Sequence, residues 1–241
     1  LRNPIATIQT NVQLALTEPE RDAQQQRLQA IERLAQRLSR LVGDLLFLAR
    51  ADSGTVETKR QSVPLDALLL AVVAEQEGVA ARRGASLNLQ LPESAPEMHE
   101  SMAIAEDTFN LEGDWDQLAR LFTNLIANSL EHAQPPKEKP LKIDVELQAV
   151  GDRKSPALEV RVRDNGCPLP PETRLRVFDR FYRESTHRSG ANGSSGLGLA
   201  IARAIATNHR GQLRLQCSDL SGTIFTVTLP KVARGAMPGE R

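Results

Sequence analysis

The chain has 241 residues, room for one or two domains. With 40% hydrophobic and 25% charged residues it reads as globular, and with 3% aromatics its core must be mostly Leu, Ile, Val and Ala. Thirty basic residues balance thirty acidic ones, which removes the electrostatic argument for nucleic acid or an anionic membrane as a partner.

Residues 1–50 read as two helices. Ile5, Ile8, Val12 and Leu16 stand at helical spacing in the first. Thr17-Glu18-Pro19-Glu20 breaks it, and Pro19 suits the first turn of the next helix, where its missing N–H costs little. In the second, Leu28, Ile31, Leu34, Leu38, Leu41, Leu45 and Leu48 step by 3 and 4, and Ala35, Val42 and Ala49 widen the stripe. A lone hairpin cannot cover both faces of such a pattern. A homodimer forming a four-helix bundle is the expected solution, and packing of the hairpin on the rest of its own chain is the alternative.

The hairpin domain is placed at 1–54, a polar linker at 55–62, a second domain at 63–232 and a tail at 233–241. Within the second domain, 65–83, 114–133 and 197–208 read as helices. Residues 86–91, 141–150, 157–163, 213–217 and 223–229 read as strands. Residues 92–110 read as loop, and 165–195, rich in Gly, Pro, Ser and Arg, as mostly mobile loop. Helices and strands mix without βαβ regularity. The predicted fold class is therefore α+β, a helical hairpin followed by an α/β sandwich. Cys167 and Cys217 lack metal-ligand spacing and make no disulfide framework, which suits a cytoplasmic protein. No run approaches the ~20 apolar residues of a membrane span. The chain opens in mid-pattern at Leu1, without Met, and reads as a fragment; a membrane connection is expected only through regions outside it.

Four patches carry the chemistry. Asn124 and Asn128 are four apart on one helical face, ending at His132. A carboxamide oxygen is a hard, neutral ligand suited to Mg²⁺, which shares its shell with phosphate and water; the alternative is two surface or capping asparagines. Asp164-Asn165-Gly166 follows a strand. A carboxylate there can accept from the exocyclic amine of adenine, and Gly166 lets a base approach; the alternative is a plain turn. Phe178 and Phe181 can anchor a polar loop, with Arg180 and Arg183 within reach of phosphate, or can form a short amphipathic helix that packs that loop. Gly193, Gly196 and Gly198 enter a helix through Leu197, exposing backbone N–H groups to an anion. No strand immediately precedes them, which argues against a dinucleotide fold.

Taken together and in this order, the patches resemble the N, G1, F and G2 boxes of the histidine kinase ATPase domain. Gly222-Thr223 before Phe225 resembles the element that closes such domains. Leu1-Arg2-Asn3-Pro4 resembles the second half of the family's H-E-L-R-T/N-P motif on its dimerisation and phosphotransfer hairpin. The resemblance implies a sandwich of the histidine kinase, gyrase and chaperone ATPase type that uses ATP and Mg²⁺. It implies that Asp164 binds adenine, that Asn128 holds Mg²⁺ and that Asn124 lies beside the phosphates. Gly196, Leu197 and Gly198 would bring backbone to the phosphates, with His132, Gly166, Phe178, Arg180, Phe181 and Thr223 around the nucleotide. It further implies an ATP lid between Gly166 and Gly193, transfer of the γ-phosphoryl group to a histidine just upstream of Leu1, then to an aspartate of a response regulator. Asn3 would orient water for dephosphorylating that regulator; a plain helix-start residue before Pro4 is the alternative. None of His99, His132, His187 and His209 takes the acceptor's place, so the chain alone is expected to bind ATP without labelling itself.

Departures from the family pattern are Pro168 at the usual second glycine of D-x-G-x-G, Ser194 at the usual first glycine of the G2 run, and Glu131 where a basic residue is common. They imply weaker nucleotide affinity, and they sustain one alternative, a degenerate non-catalytic dimerisation and nucleotide-binding module. A hydrolysing relative would need a glutamate where Asn124 stands, because a carboxamide takes no proton from water. The leucine stripe yields a direct expectation. Leu38→Glu buries an unpaired charge at a cost of several kcal/mol and should convert a dimer to monomer. Light scattering at tens of micromolar reads this, and a monomeric parent chain would remove the bundle.

Overall fold

A computed structural model of the chain describes residues 2–17, 20–92, 108–136, 139–152, 155–182, 195–219 and 222–231, apart from the side chains of 2–4, 217 and 218. The side chain of Asn3 therefore lies outside the described residues, as do Arg183, His187, Gly193, Ser194 and His99, residues 183–192 of the expected lid, and the tail. The chain divides into two compact units, Leu1–Thr55 and Val56–Arg241.

In the first unit α1 (Arg2–Thr17) packs on α2 (Arg21–Asp52). The Gln24 carboxamide donates to the Ala15 carbonyl at 3.1 Å, and Ala15 and Leu48 are buried. α2 stops where Gly54 takes a left-handed φ of +67° and the Thr55 N–H donates to the Arg50 carbonyl at 2.9 Å. A side chain beyond Cα would be strained there, and the bond satisfies a carbonyl that the helix end leaves open. Ile5, Val12, Leu28, Val42 and Leu46 remain exposed, from 39% at Val12 to 55% at Leu28.

The second unit is a five-stranded sheet packed by helices. Its strands run in the order β2 (Ser86–Gln90), β4 (Lys142–Val150), β5 (Ala157–Asp164), β7 (Gly222–Pro230) and β6 (Gln212–Asp219). β2 and β4 are parallel and the other pairs antiparallel. Alternation sends Val145, Leu147, Leu158, Val160, Val162, Phe225, Val227 and Leu229 inward, and all are buried. Against them pack α3 (Leu65–Arg82), α4 (Trp115–His132) and α6 (Gly198–Asn208). The inward stripe of α4 is Leu118, Leu121, Phe122, Leu125, Ile126 and Leu130, one face of a 3.6-residue repeat.

Two short elements depart from the reading of the sequence. Gln61 and Ser62, read as linker, belong to β1 (Gln61–Pro64), which pairs antiparallel with β3 (Asn110–Gly113). Four-residue strands have no room for a periodic signal, and the partner lies far along the chain. Pro171–Arg176, inside the stretch read as mostly loop, is a helix (α5) whose proline stands at its first turn.

α4 and α6 are joined at one end by a buried imidazole. His209 caps α6; its Nε2 accepts the Asp114 N–H at 3.0 Å, and its Nδ1 donates to the Ile205 carbonyl at 2.9 Å. The acceptor role of Nε2 requires a neutral ring with its proton on Nδ1. Burial holds the His209 pKa below the usual 6.5; the Ile205 bond opposes this, the Arg60 charge adds to it, and the Asp114 charge opposes it. The unfolded chain therefore binds a proton that folded His209 refuses, so this part of the stability is complete above pH 6.5 and is lost as pH falls through the lower, folded value. Thermal melts by circular dichroism between about pH 7.5 and pH 5.5 should show falling stability in the parent and a shallower slope in His209→Asn. Equal slopes would mean that His209 charges freely in the folded chain.

Candidate functional site

β5 alternates Leu158, Val160, Val162, Asp164, all buried. The last inward position, where apolar side chains stand before it, is a carboxylate 4% exposed. Its Oδ2 accepts the Ser129 hydroxyl at 2.8 Å and its Oδ1 accepts the Gly166 N–H at 3.0 Å. Burial raises its pKa above the usual 3.8, while the Gly166 N–H, the Ser129 hydroxyl and the Thr223 N–H pull it back. A carboxylate has roughly four acceptor positions, and these three donors leave one for a ligand N–H. Asn165 anchors the turn, accepting the Lys142 N–H at 2.8 Å and donating to the Pro140 carbonyl at 3.0 Å. Asp164 pairs with Thr223 across the sheet. The preceding Gly222 has φ +117°, and a Cβ there would lie 1.8 Å from the Asp164 carbonyl oxygen.

Across from the sheet, α4 contributes Asn124, Asn128 and His132, each half-buried and one turn apart. The Asn124 amide nitrogen is buried without a hydrogen-bond partner. A buried donor left open costs about 1–3 kcal/mol, so a bound acceptor there is a gain. The nearest opening is at Gly198, the first residue of α6. A Cβ there would still lie 3.7 Å from the Asn124 Oδ1. His132 lies 3.8 Å from the Glu131 carboxylate, the residue that departs from the family pattern.

The aromatic pair divides its work. The Phe178 ring meets Phe225 edge-on at 6.1 Å, with the Arg203 guanidinium over it at 5.5 Å, so it anchors its segment to the core. Phe181 is 58% exposed with φ +60°, a region that bulky residues avoid, and Arg180 is exposed. The Phe181 N–H donates to the Gly196 carbonyl at 2.9 Å, and Gly196 is itself left-handed at φ +69°. That bond holds Phe181 beside Gly196. Leu197 is fully buried and its N–H meets the Ser195 hydroxyl at 3.3 Å, so at the site it offers backbone alone.

Asp164, Gly166 and Thr223 thus meet at one end of the sheet, Asn124 faces Gly198, and Phe178 stands apart, half-buried against Phe225. Ser129 was missed by sequence reasoning, although a polar residue inside the apolar stripe of α4 was its signal. Among the described residues no group of three or more His, Cys, Asp or Glu side chains is placed to hold a metal ion. No helix there is long and apolar enough to cross a membrane.

Comparison with known proteins places two family profiles on the chain. Residues 113–233 match the histidine kinase-, DNA gyrase B- and HSP90-like ATPase family, and residues 1–54 match the His Kinase A (phospho-acceptor) domain. Sensor histidine kinase RppB of Synechocystis sp. is 30% identical over 235 residues, covering 95% of this chain and 46% of RppB. Sensor histidine kinase CusS of Escherichia coli strain K12 is 30% identical over 232 residues, covering 95% of this chain and 43% of CusS. The chain thus spans under half the length of these relatives. Among solved structures, Acinetobacter baumannii histidine kinase AdeS shares the fold at a TM-score of 0.69 and 18% identity over 95% of both chains. Full-length ShkA in complex with AMPPNP shares it at 0.65 and 19%, over 95% of this chain and 42% of that one.

Two glycine replacements test this packing. Gly222→Ala puts a Cβ into the Asp164 backbone and should cost at least ~2 kcal/mol. Gly198→Ala meets only ordinary contact and should stay within ~1 kcal/mol of the parent. Urea melts rank the two, and the reverse order would mean that Gly222 does not sit against Asp164.

Proposed function

Since the chain belongs to the bacterial two-component sensor histidine kinases, we propose that it is the catalytic core of such a kinase, binding Mg–ATP and passing its γ-phosphoryl group to a histidine and then to a response-regulator aspartate. The observation that carries this reading is the Asp164 carboxylate, buried at an inward sheet position with an acceptor site left over. A stably folded core gains nothing from a charge there; a ligand amine does.

In this reading Asp164 accepts from the adenine amine, and Ser129, Gly166 and Thr223 hold its orientation. Asn124 finds its missing acceptor in a phosphate oxygen. The backbone from Gly196 to Gly198, which leads into α6, lies beside the same phosphates, helped by the partial positive charge of a helix start. Asn128 offers a neutral oxygen to Mg²⁺, whose remaining ligands are phosphate and water. His132, Arg180 and Phe181 flank the nucleotide, while Phe178 keeps their segment seated. The bound nucleotide supplies the phosphoryl group. The protein's contribution is to align it and neutralise its charge. Asn3 orients water for the regulator's dephosphorylation.

The units take matching roles. Residues 1–54 form the dimerisation hairpin, and the exposed Ile5, Val12, Leu28, Val42 and Leu46 are the surface that a second copy covers. Residues 63–232 form the nucleotide-binding domain after the 55–62 connection. The site of action is the cytoplasm, where ATP and the regulator are found.

Calorimetry with a non-hydrolysable ATP analogue tests the assignment. Asp164→Asn should weaken binding by roughly 10- to 100-fold, the worth of a hydrogen bond to a charged group, while its melting temperature stays level or rises. Asn128→Ala should erase the gain from added Mg²⁺ and leave metal-free binding in place. Unchanged affinity in Asp164→Asn would take adenine away from this carboxylate.

A further inference from the structure

The segment that leads into the second unit is polar, yet each residue from Glu57 to Arg60 is bonded to a helix of the nucleotide site. The Lys59 N–H donates to the Asp114 Oδ2 at 3.0 Å. The Gln117 carboxamide donates to the Glu57 carbonyl at 3.1 Å. The Asn208 carboxamide donates to the Thr58 hydroxyl at 2.7 Å and to the Gln117 Oε1 at 3.0 Å. The Arg60 guanidinium donates to the Asn208 carbonyl at 3.2 Å.

Asp114 is the N-cap of α4, accepting the Gln117 N–H on Oδ1 at 3.1 Å. Capping needs one acceptor; the second oxygen takes the Lys59 N–H and, at 3.3 Å, the Gln117 carboxamide. The Asp114 N–H is in turn held by His209 Nε2, and the His209 Nδ1–H by Ile205, so the cap is tied to the end of α6. These residues join α4 to α6 at the ends away from Asn124, Asn128 and Gly198. We propose that Asp114 and His209 are positioning residues that clasp the entering segment Glu57–Arg60 to the two helices of the nucleotide site, so that nucleotide binding and closure of the clasp favour each other. The coupling rests on the nucleotide reading above; the clasp itself does not. A ligand that fixes α4 against α6 favours the arrangement in which both can hold the segment, and the effect is reciprocal. Part-buried and exposed polar hydrogen bonds are weak individually against the freedom of the chain they order, so the proposed clasp is one that opens and closes.

Trypsin reads the clasp directly, because its targets Lys59 and Arg60 are exposed side chains on a held backbone. Cleavage after either residue requires the segment to leave α4 and α6. The test uses the full chain, with cleavage followed by mass spectrometry, with and without the ATP analogue and Mg²⁺. Asp114→Ser keeps an N-cap acceptor for Gln117 and loses the reach to Lys59. Its melting temperature should stay near the parent's while cleavage speeds up by about fivefold, the factor one ordinary hydrogen bond is worth. The analogue should slow cleavage of the parent by at least as much and give little protection to Asp114→Ser, a ligand-dependent readout that a merely structural cap would not move. Should Asp114→Ser unfold, Asn208→Ala, half-buried and outside the core, makes the same comparison. Parental cleavage rates in both folded variants would overturn the clasp. Unchanged cleavage of the parent when calorimetry shows the analogue bound would overturn the coupling. A parent that binds no analogue would sink the nucleotide reading and the coupling with it, and the ligand-free rates would still decide the clasp.

Discussion

A carboxylate buried at the end of a sheet is the constraint around which the second unit is arranged. Asp164 stands in line with Leu158, Val160 and Val162, and burial opposes its ionisation. Keeping it charged takes donors from three directions: Ser129 from α4, Gly166 from the following turn and Thr223 from the neighbouring strand. Ser129 lies on the buried face of α4 that Leu121, Phe122, Leu125 and Ile126 set, one residue beyond Asn128. Gly222 must lack a side chain for β7 to pass the Asp164 backbone. The local cost in stability is the kind expected where structure is kept for a ligand.

The two helices of the site are handled differently at their two ends. At the ligand end, the amide of Asn124 is left unsatisfied and Gly198 leaves space. At the other end the side chains of Asp114, Gln117, Asn208 and His209 are hydrogen-bonded among these four residues, to Ile205 and to residues 57–59. One end is fastened and the other is open. Such a division lets a ligand complete the polar network where it binds, without disturbing the core between β4, β5 and β7. The hairpin has the converse character: its exposed leucine and valine side chains ask for a surface rather than a ligand.

The architecture was largely legible because it follows from period. The leucines of α2, the inward stripe of α4 and the alternation in β4, β5 and β7 each announce an element and its buried face. The ordered Asn, Asp-Asn-Gly, Phe and Gly patches were each ambiguous alone and pointed to a nucleotide site only through their resemblance, in that order, to the boxes of a known family. Alternation along β5 also contained a sharper signal that went unused: Asp164 falls on the apolar face, so its burial was readable from Val160 and Val162 alone.

Other features depended on pairing between distant segments, which no local pattern encodes. β1 and β3 are too short to show a period, and each exists because the other satisfies its backbone. Phe178 and Phe181, three apart, part company because Phe225 offers an edge to one, while the other follows a backbone turned left-handed at its bond with Gly196. Ser129 gained its role from the approach of Asp164, and His209 its tautomer from the N–H of Asp114. The sequence by itself therefore determined the elements, their buried faces and the family of site, since these depend on near neighbours in the chain. Tertiary structure alone decided which polar atoms are satisfied and which are left open, since a hydrogen bond between residues far apart in sequence exists only once both have been brought within 3 Å or so.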